Sequence, residues 1–290
     1  MIDPRIDGHT PVIVQGLTGR AGRQHARLMR DYGTRIVAGV SPRMTAQDVD
    51  GIPLFPDCRK AVEATGATTC IAFVAAYDLR AAMKDAIEGG VRYIVTPTEG
   101  MPVHDALEVK RMVDASGVIW IGASTPGMAI AGVAKLGFLP DVALLPGNLG
   151  LMSKSGTLSY EAGSMLARSG VGTSVWVGVG GDAVKGVRYA DLVPFFAADV
   201  KTAGLLVIGE IGGSEEEDFA AALREHEFGK PVFALIAGRT APAGVSMGHA
   251  GALVYGSHGT FDAKRKALES AGVTVFNSLA AMVSGVRSGL

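Results

Sequence analysis

The sequence predicts an α/β protein built from two doubly wound domains. Short apolar runs alternate with helical stretches along both halves, the pattern of parallel strands covered by helices on both faces. Glycine is abundant, 40 of 290 residues, and spread along the chain, which suits many tight strand-to-helix turns. The chain is 48% hydrophobic with only 6% aromatic residues, enough apolar mass for a large core dominated by aliphatic side chains.

In the first half the apolar runs place strands over 11–16, 35–40, 70–75, 93–98 and 118–122, with helices over 22–31, 78–88 and 105–115 between them. From Pro126 to Gly147 glycine and proline interrupt any clear period, and the stretch reads as a connector with room for a short hairpin. The alternation then resumes, with strands over 148–153, 174–178, 204–209, 231–236 and 273–276 and helices over 157–168, 189–197, 214–225 and 262–271. The expected organisation is a first domain over 1–126, a connector over 127–147 and a second domain over 148–290.

The formal charge is −1, from 27 basic and 28 acidic residues, and no basic tract stands out, so nucleic acid is a poor partner. Cys58 and Cys70 have neither metal-site spacing nor a disulfide framework, and Cys70 reads as core. No metal site is expected. The first residues lack an apolar signal region, and no apolar run reaches membrane-spanning length, so the expectation is a cytoplasmic protein without a membrane partner.

Three segments have the chemistry of a site. Val12-Ile13-Val14-Gln15 reads as a strand that runs into Gly16-Leu17-Thr18-Gly19-Arg20-Ala21-Gly22 and then a helix. Glycines there let backbone N–H groups approach a phosphate at the positive end of the helix, with Thr18 and Arg20 as side-chain partners. The competing reading is a purely structural tight turn. The Gly-x-x-Gly-x-x-Gly spacing differs from the dinucleotide fingerprint, and no carboxylate ends the second strand, which argues against NAD and a dehydrogenase. The second segment, Ser153-Lys154-Ser155-Gly156-Thr157, opens a helix with hydroxyls and a glycine, suited either to an anion or to ordinary N-capping. The third contains His249, flanked by Gly248 and Gly251 in a run of small residues. A neutral imidazole is a competent phosphoryl acceptor, and a carboxylate on its other nitrogen fixes the tautomer. Glu210, at the end of a predicted strand, is the candidate carboxylate; a satisfied loop histidine and a capping or surface glutamate are the alternatives.

Gln15-Gly16-Leu17-Thr18-Gly19, Val37-Ala38-Gly39-Val40-Ser41-Pro42, Thr98-Glu99-Gly100-Met101-Pro102, the Ser-x-Ser-Gly-Thr-Leu helix start and the Gly-His-Ala loop occur in one order, and over residues 12–283 the chain resembles the succinyl-CoA synthetase α-subunit family. The resemblance implies a Rossmann-like CoA-binding domain followed by a flavodoxin-like ligase domain. It assigns CoA contacts to Thr18, Gly19, Arg20 and Ala21 and to Pro97, Thr98 and Glu99. A family lysine falls on Met44, with Arg43 beside it to replace the charge. It makes His249 the phosphohistidine and Glu210 its orienting carboxylate, gives Ser155, Gly156 and Thr157 the phosphate, and gives Tyr160 the acid substrate. It also implies a β subunit with an ATP-grasp fold, in an αβ or α2β2 assembly, that binds ATP or GTP with Mg²⁺; this chain alone would have little ligase activity.

Departures from the family pattern cluster around the expected acid site and the His249 loop. Gly122-Ala123-Ser124-Thr125-Pro126-Gly127 stands where the family reads Gly-Pro-Asn-Cys-Pro-Gly, Val74-Ala75-Ala76-Tyr77 replaces Val-Pro-Ala-Pro, and Val245 and Ser246 replace two basic residues. These changes leave succinate, malate, a citrate-like acid or another small carboxylate open as substrate. They also motivate an alternative, a CoA-binding regulator without catalysis.

Overall fold

A computed structural model describes residues 2–43, 46–240, 254 and 259–290. The chain divides into two compact units: Ile6–Leu139 with Val184–Gly186, and Met1–Arg5 with Pro140–Ala183 and Val187–Leu290.

The first unit contains β1 (Val12–Gln15), α1 (Arg20–Tyr32), β2 (Ile36–Val40), β3 (Asp48–Val49), β4 (Ile52–Phe55), α2 (Cys58–Thr65), β5 (Thr69–Ala72), α3 (Leu79–Glu88), β6 (Tyr93–Thr96), α4 (Val103–Ser116), β7 (Ile119–Gly122), β8 (Gly127–Ile130) and β9 (Ala134–Gly137). Its sheet runs β3-β4-β2-β1-β5-β6-β7. Apart from the antiparallel β3–β4 pair, every neighbour is parallel. The parallel strands follow the Rossmann order, with the reversal between β1 and β5, where such sheets bind ligands. β1, β5 and β6 are buried throughout, because helices cover both faces. Ile13, Cys58, Cys70, Met83, Ile94 and Trp120 centre the core. The Trp120 indole N–H donates to Thr96 Oγ1 at 2.8 Å, so its polar edge is satisfied.

The stretch expected to be a connector carries the antiparallel β8–β9 hairpin. This hairpin fixes the far end of α1: Thr34 Oγ1 donates to the Lys135 carbonyl at 2.7 Å, and the Gly132 N–H donates to the Tyr32 hydroxyl at 2.8 Å. A Cβ on Gly127 would lie 1.9 Å from the Leu136 carbonyl oxygen, so the two strands close only around glycine.

The second unit contains β10 (Pro146–Ser153), α5 (Gly156–Arg168), β11 (Thr173–Gly178), α6 (Tyr189–Ala198), β12 (Gly204–Glu210), α7 (Glu215–Glu225), β13 (Val232–Ala237), α8 (Phe261–Ser270), β14 (Thr274–Phe276) and α9 (Leu279–Gly289). Within it, the parallel order β14-β13-β12-β10-β11 is the flavodoxin order. Trp176, Phe196 and Phe219 are fully buried. Two glycines make room for them: a Cβ on Gly163 would meet the Trp176 ring at 2.5 Å, and one on Gly150 would meet the Phe196 ring at 2.7 Å. Among the described residues no helix is long and apolar enough to cross a membrane.

Candidate functional site

In the first unit the glycine turn forms as the sequence implies. Gly16 leaves β1 with φ +77°, and a Cβ there would meet the Phe73 carbonyl oxygen at 2.2 Å. A Cβ on Gly22 would lie 2.2 Å from the Gly16 carbonyl oxygen, so α1 packs directly on the turn. Gly19 is the N-cap of α1 and supplies no side-chain cap, which leaves the first N–H groups of the helix open for an anion. Two clefts meet here at Thr18. One, of about 920 Å³, is lined by Gln15, Gly16, Thr18, Ser41, Arg43 and Asp85, among others. The other, of about 790 Å³, is lined by Thr18, Gly19, Arg20 and the outer face of α1.

The wall of the larger cleft is held by hydrogen bonds. The Gln15 amide donates to the Ala82 carbonyl at 2.9 Å and to Asp85 at 3.2 Å, and Asp85 also accepts the Cys58 N–H at 3.1 Å. Thr18 Oγ1 donates to Ser41 Oγ at 3.4 Å. The 97–99 segment follows β6 at the same sheet end; Pro97 is buried, Thr98 half-buried and Glu99 exposed. The Thr98 hydroxyl donates to the carbonyl of Val74, another cleft-lining residue, at 2.7 Å. Ala21 is exposed in the first turn of α1. Cys58 and Cys70 are both buried; the Cys70 contact and burial push the Cys58 thiol up, so it stays protonated and inert.

In the second unit, β10 and β12 are neighbours with Ser153 opposite Ile208. This register brings the Ser155 turn and Glu210 out at the same end of adjacent strands. Ser155 caps α5, its Oγ accepting the Leu158 N–H at 3.3 Å, and Ser153 Oγ steadies the turn by accepting the Ser155 N–H at 3.1 Å. Gly156 and Thr157 open the helix, with Thr157 exposed. Tyr160 lies half-buried one turn on, and burial pushes its phenol up to about 12. Glu210 is 7% exposed, which removes the surface-charge alternative.

His249 lies outside the described residues. The two ends of the segment carrying it are described, and both sit on the loop after Glu210. The Ile211 N–H donates to the Ala237 carbonyl at 3.1 Å, and the Gly212 N–H donates to the Gly259 carbonyl at 2.7 Å.

The family-model comparisons match both units. The CoA binding domain model matches residues 7–100, and the CoA-ligase model matches residues 152–274. The α subunit of the ADP-forming succinate–CoA ligase of Aquifex aeolicus is 43% identical over 275 residues, 94% of this chain and 90% of that subunit. The chain belongs to the succinate–CoA ligase α-subunit family. Other members act on other acids by name: the malate–CoA ligase α subunit of Methylorubrum extorquens is 39% identical over 93% of this chain and 92% of its own. The ADP-forming sulfoacetate-CoA ligase subunit of Bilophila wadsworthia is 39% identical over 90% of each chain. Among solved structures, ATP citrate lyase from Methanothrix soehngenii, in complex with citrate and coenzyme A, superposes with a TM-score of 0.87 at 25% identity. That match covers 97% of this chain, which spans 50% of the lyase chain.

One feature of this family member was not legible in its sequence. Glu216, fully buried, accepts Lys154 Nζ on Oε1 at 2.8 Å and binds Lys264 through Oε2. The same Oε1 accepts the Glu210 N–H at 3.2 Å. Lys154 also faces Glu215 at 3.7 Å, and Lys264 reaches Glu217 at 3.0 Å and the Gly213 carbonyl at 2.9 Å. Burial works against the Glu216 carboxylate, but the two lysines outweigh it and hold its carboxyl below the usual range. Burial likewise works against the Lys154 ammonium, and Glu216 and Glu215 overcome it and raise its pKa. Gly209 makes the arrangement possible, since a Cβ there would lie 2.5 Å from Glu216 Oε1. The run Glu215-Glu216-Glu217-Asp218 reads in sequence as an exposed acidic helix start that suits the dipole; only the packing of α7 against α6 and α8 shows that half of it is buried.

Proposed function

We propose that the chain is the α subunit of an NDP-forming acid–CoA ligase that works through phosphorylated His249. Support comes from the second unit: the Ser155–Thr157 helix start and Glu210 share one sheet end, and both ends of the His249 segment are tethered to the loop after Glu210. His249 lies 11 residues beyond Gly238, a reach of up to about 36 Å, ample to deliver the ring to that sheet end. His249 takes the terminal phosphoryl group of ATP or GTP, releasing the diphosphate, with Glu210 holding the other ring nitrogen. The phosphoryl group then passes to the substrate carboxylate, freeing the imidazole and forming an acyl phosphate. CoA thiolate attacks the acyl carbon, phosphate leaves, and acyl-CoA results. Staging one hard condensation as three transfers is what lowers each barrier. Open N–H groups at the start of α5 favour the phosphoryl charge without a counter-cation. CoA lies along the Thr18–Ala21 turn with Arg43 and the 97–99 segment, and Tyr160 meets the acid. Nucleotide and Mg²⁺ belong to an ATP-grasp β subunit, in an αβ or α2β2 assembly. The acid is succinate or a near relative; malate and sulfoacetate, which named relatives use, belong in the same panel.

The test reconstitutes the chain with its β subunit, ATP or GTP, CoA and this acid panel. The expected result is one acid-labile phosphate per chain on His249 and CoA-dependent turnover of one acid. Folded His249→Asn protein that still takes up acid-labile phosphate would overturn the reading.

A further inference from the structure

The outer face of α1 breaks a local rule. Arg20, Arg23, Arg27 and Arg30 follow a 3-4-3 spacing that stacks them on one side of the helix. Like charges so spaced repel, and Arg20 and Arg23 stand at the positive end of the helix dipole, where acidic residues are favoured and none occurs. Such violations concentrate where function compensates for them. Among the described residues, the four arginines line the 790 Å³ cleft together with two carboxylates, Asp31 and Asp50. Asp50 is already engaged: it pairs with Arg23 Nη2 at 2.5 Å, and its carbonyl accepts Arg30 Nη1 at 3.0 Å. Among the described residues Arg20 and Arg27 form no ion pair, and Asp50 feels the charge of Arg27 as well as those of Arg23 and Arg30, so four guanidinium groups share the two carboxylates of this cleft. It joins the larger cleft at Thr18, beside the open first turn of α1.

CoA carries its charge in a matching pattern. A pyrophosphate lies between the pantetheine arm and the adenosine, and a dianionic phosphate sits on the ribose 3′ oxygen. A pyrophosphate at the Thr18 turn, with the pantetheine arm in the larger cleft, sends the ribose phosphate toward α1. We propose that the arginine face of α1, Arg20 and Arg27 above all, receives the 3′-phosphate and lets this chain select CoA over dephospho-CoA. The inference rests on the CoA-binding reading of the first unit. Guanidinium forks match phosphate oxygens bidentately, a geometry lysine does not reproduce.

Calorimetric titration of the full chain with CoA and with dephospho-CoA tests it. The parent is expected to bind CoA at least about tenfold more tightly, a ratio that narrows in 0.5 M salt, where the screening length falls to a few ångströms. Arg27→Ala changes an exposed side chain and should weaken CoA about tenfold while leaving dephospho-CoA within about twofold. Arg27→Lys should recover only part of the loss. Equal binding of the two ligands by the parent, or an Arg27→Ala loss shared by both, overturns the inference while CoA binding stands. A parent that binds neither ligand overturns the CoA-binding reading and the inference with it.

Discussion

Lys264→Met probes the buried charge cluster of the second unit. Glu216 is fully buried and divides its carboxylate among Lys264, Lys154 and the Glu210 N–H. Methionine fills most of the volume of the lysine stem, so the substitution removes charge and three hydrogen bonds with little cavity. Breaking a buried pair from one side costs about 3–5 kcal/mol, because the remaining charge stays desolvated. Lys154 still partners Glu216, which puts the expected loss near the lower figure, about 3 kcal/mol. For a domain of this size that is a fall in melting temperature of about 6–12 °C. The deficit must also depend on pH. In the parent, the two lysines hold the folded Glu216 carboxyl below its unfolded value. Its stabilisation is therefore present above the unfolded carboxylate range, about pH 4.3, and is lost as pH falls through the lower folded value. The variant lacks much of that depression, so its deficit should be full at pH 7 and shrink toward pH 4. Scanning calorimetry at pH 7, 4.5 and 3.5 measures both. A melting temperature within 2 °C of the parent at pH 7, or a deficit that does not change with pH, would refute the argument.

Gly22→Ala should strike the CoA turn, because the added Cβ meets backbone, the Gly16 carbonyl oxygen at 2.2 Å, that cannot swing aside. The expected outcome is a loss of about 1–3 kcal/mol in urea unfolding together with at least tenfold weaker CoA binding by titration; unchanged affinity would show that the turn does not hold the ligand. At alkaline pH the sign reverses relative to Glu216. Lys154 has a raised folded pKa, so its stabilisation is complete below the unfolded lysine value, about 10.4, and disappears as pH rises through the folded value. Thermal melts between pH 9 and 11.5 should show a steeper decline for the parent than for Lys154→Met, and parallel curves would contradict it.

Much of the architecture was legible because it is local. The core strands are unbroken apolar runs, since a sheet covered on both faces has no polar side to alternate with. Gly16 and Gly22 marked the first turn, and Ser155 marked the start of α5, because backbone conformation and capping are settled within a few residues. Other elements did not show. β3 and β4 are two and four residues long, too short for a period, and the β8–β9 hairpin hid in a Gly- and Pro-rich stretch. The capped helices α2 and α9 also escaped notice: one is only eight residues long, and the other is diluted by glycine and serine.

By itself, then, the sequence determined the doubly wound class, the two helix starts that can face phosphate, and the candidate histidine and glutamate. Only the tertiary structure decided that Glu216 sits between lysines 62 and 48 residues away in the chain, and that the arginines of α1 open onto the same turn as the larger cleft. Caps and turns are set by neighbours along the chain, whereas the burial of a charge depends on which distant element packs against it, and local pattern holds no record of that.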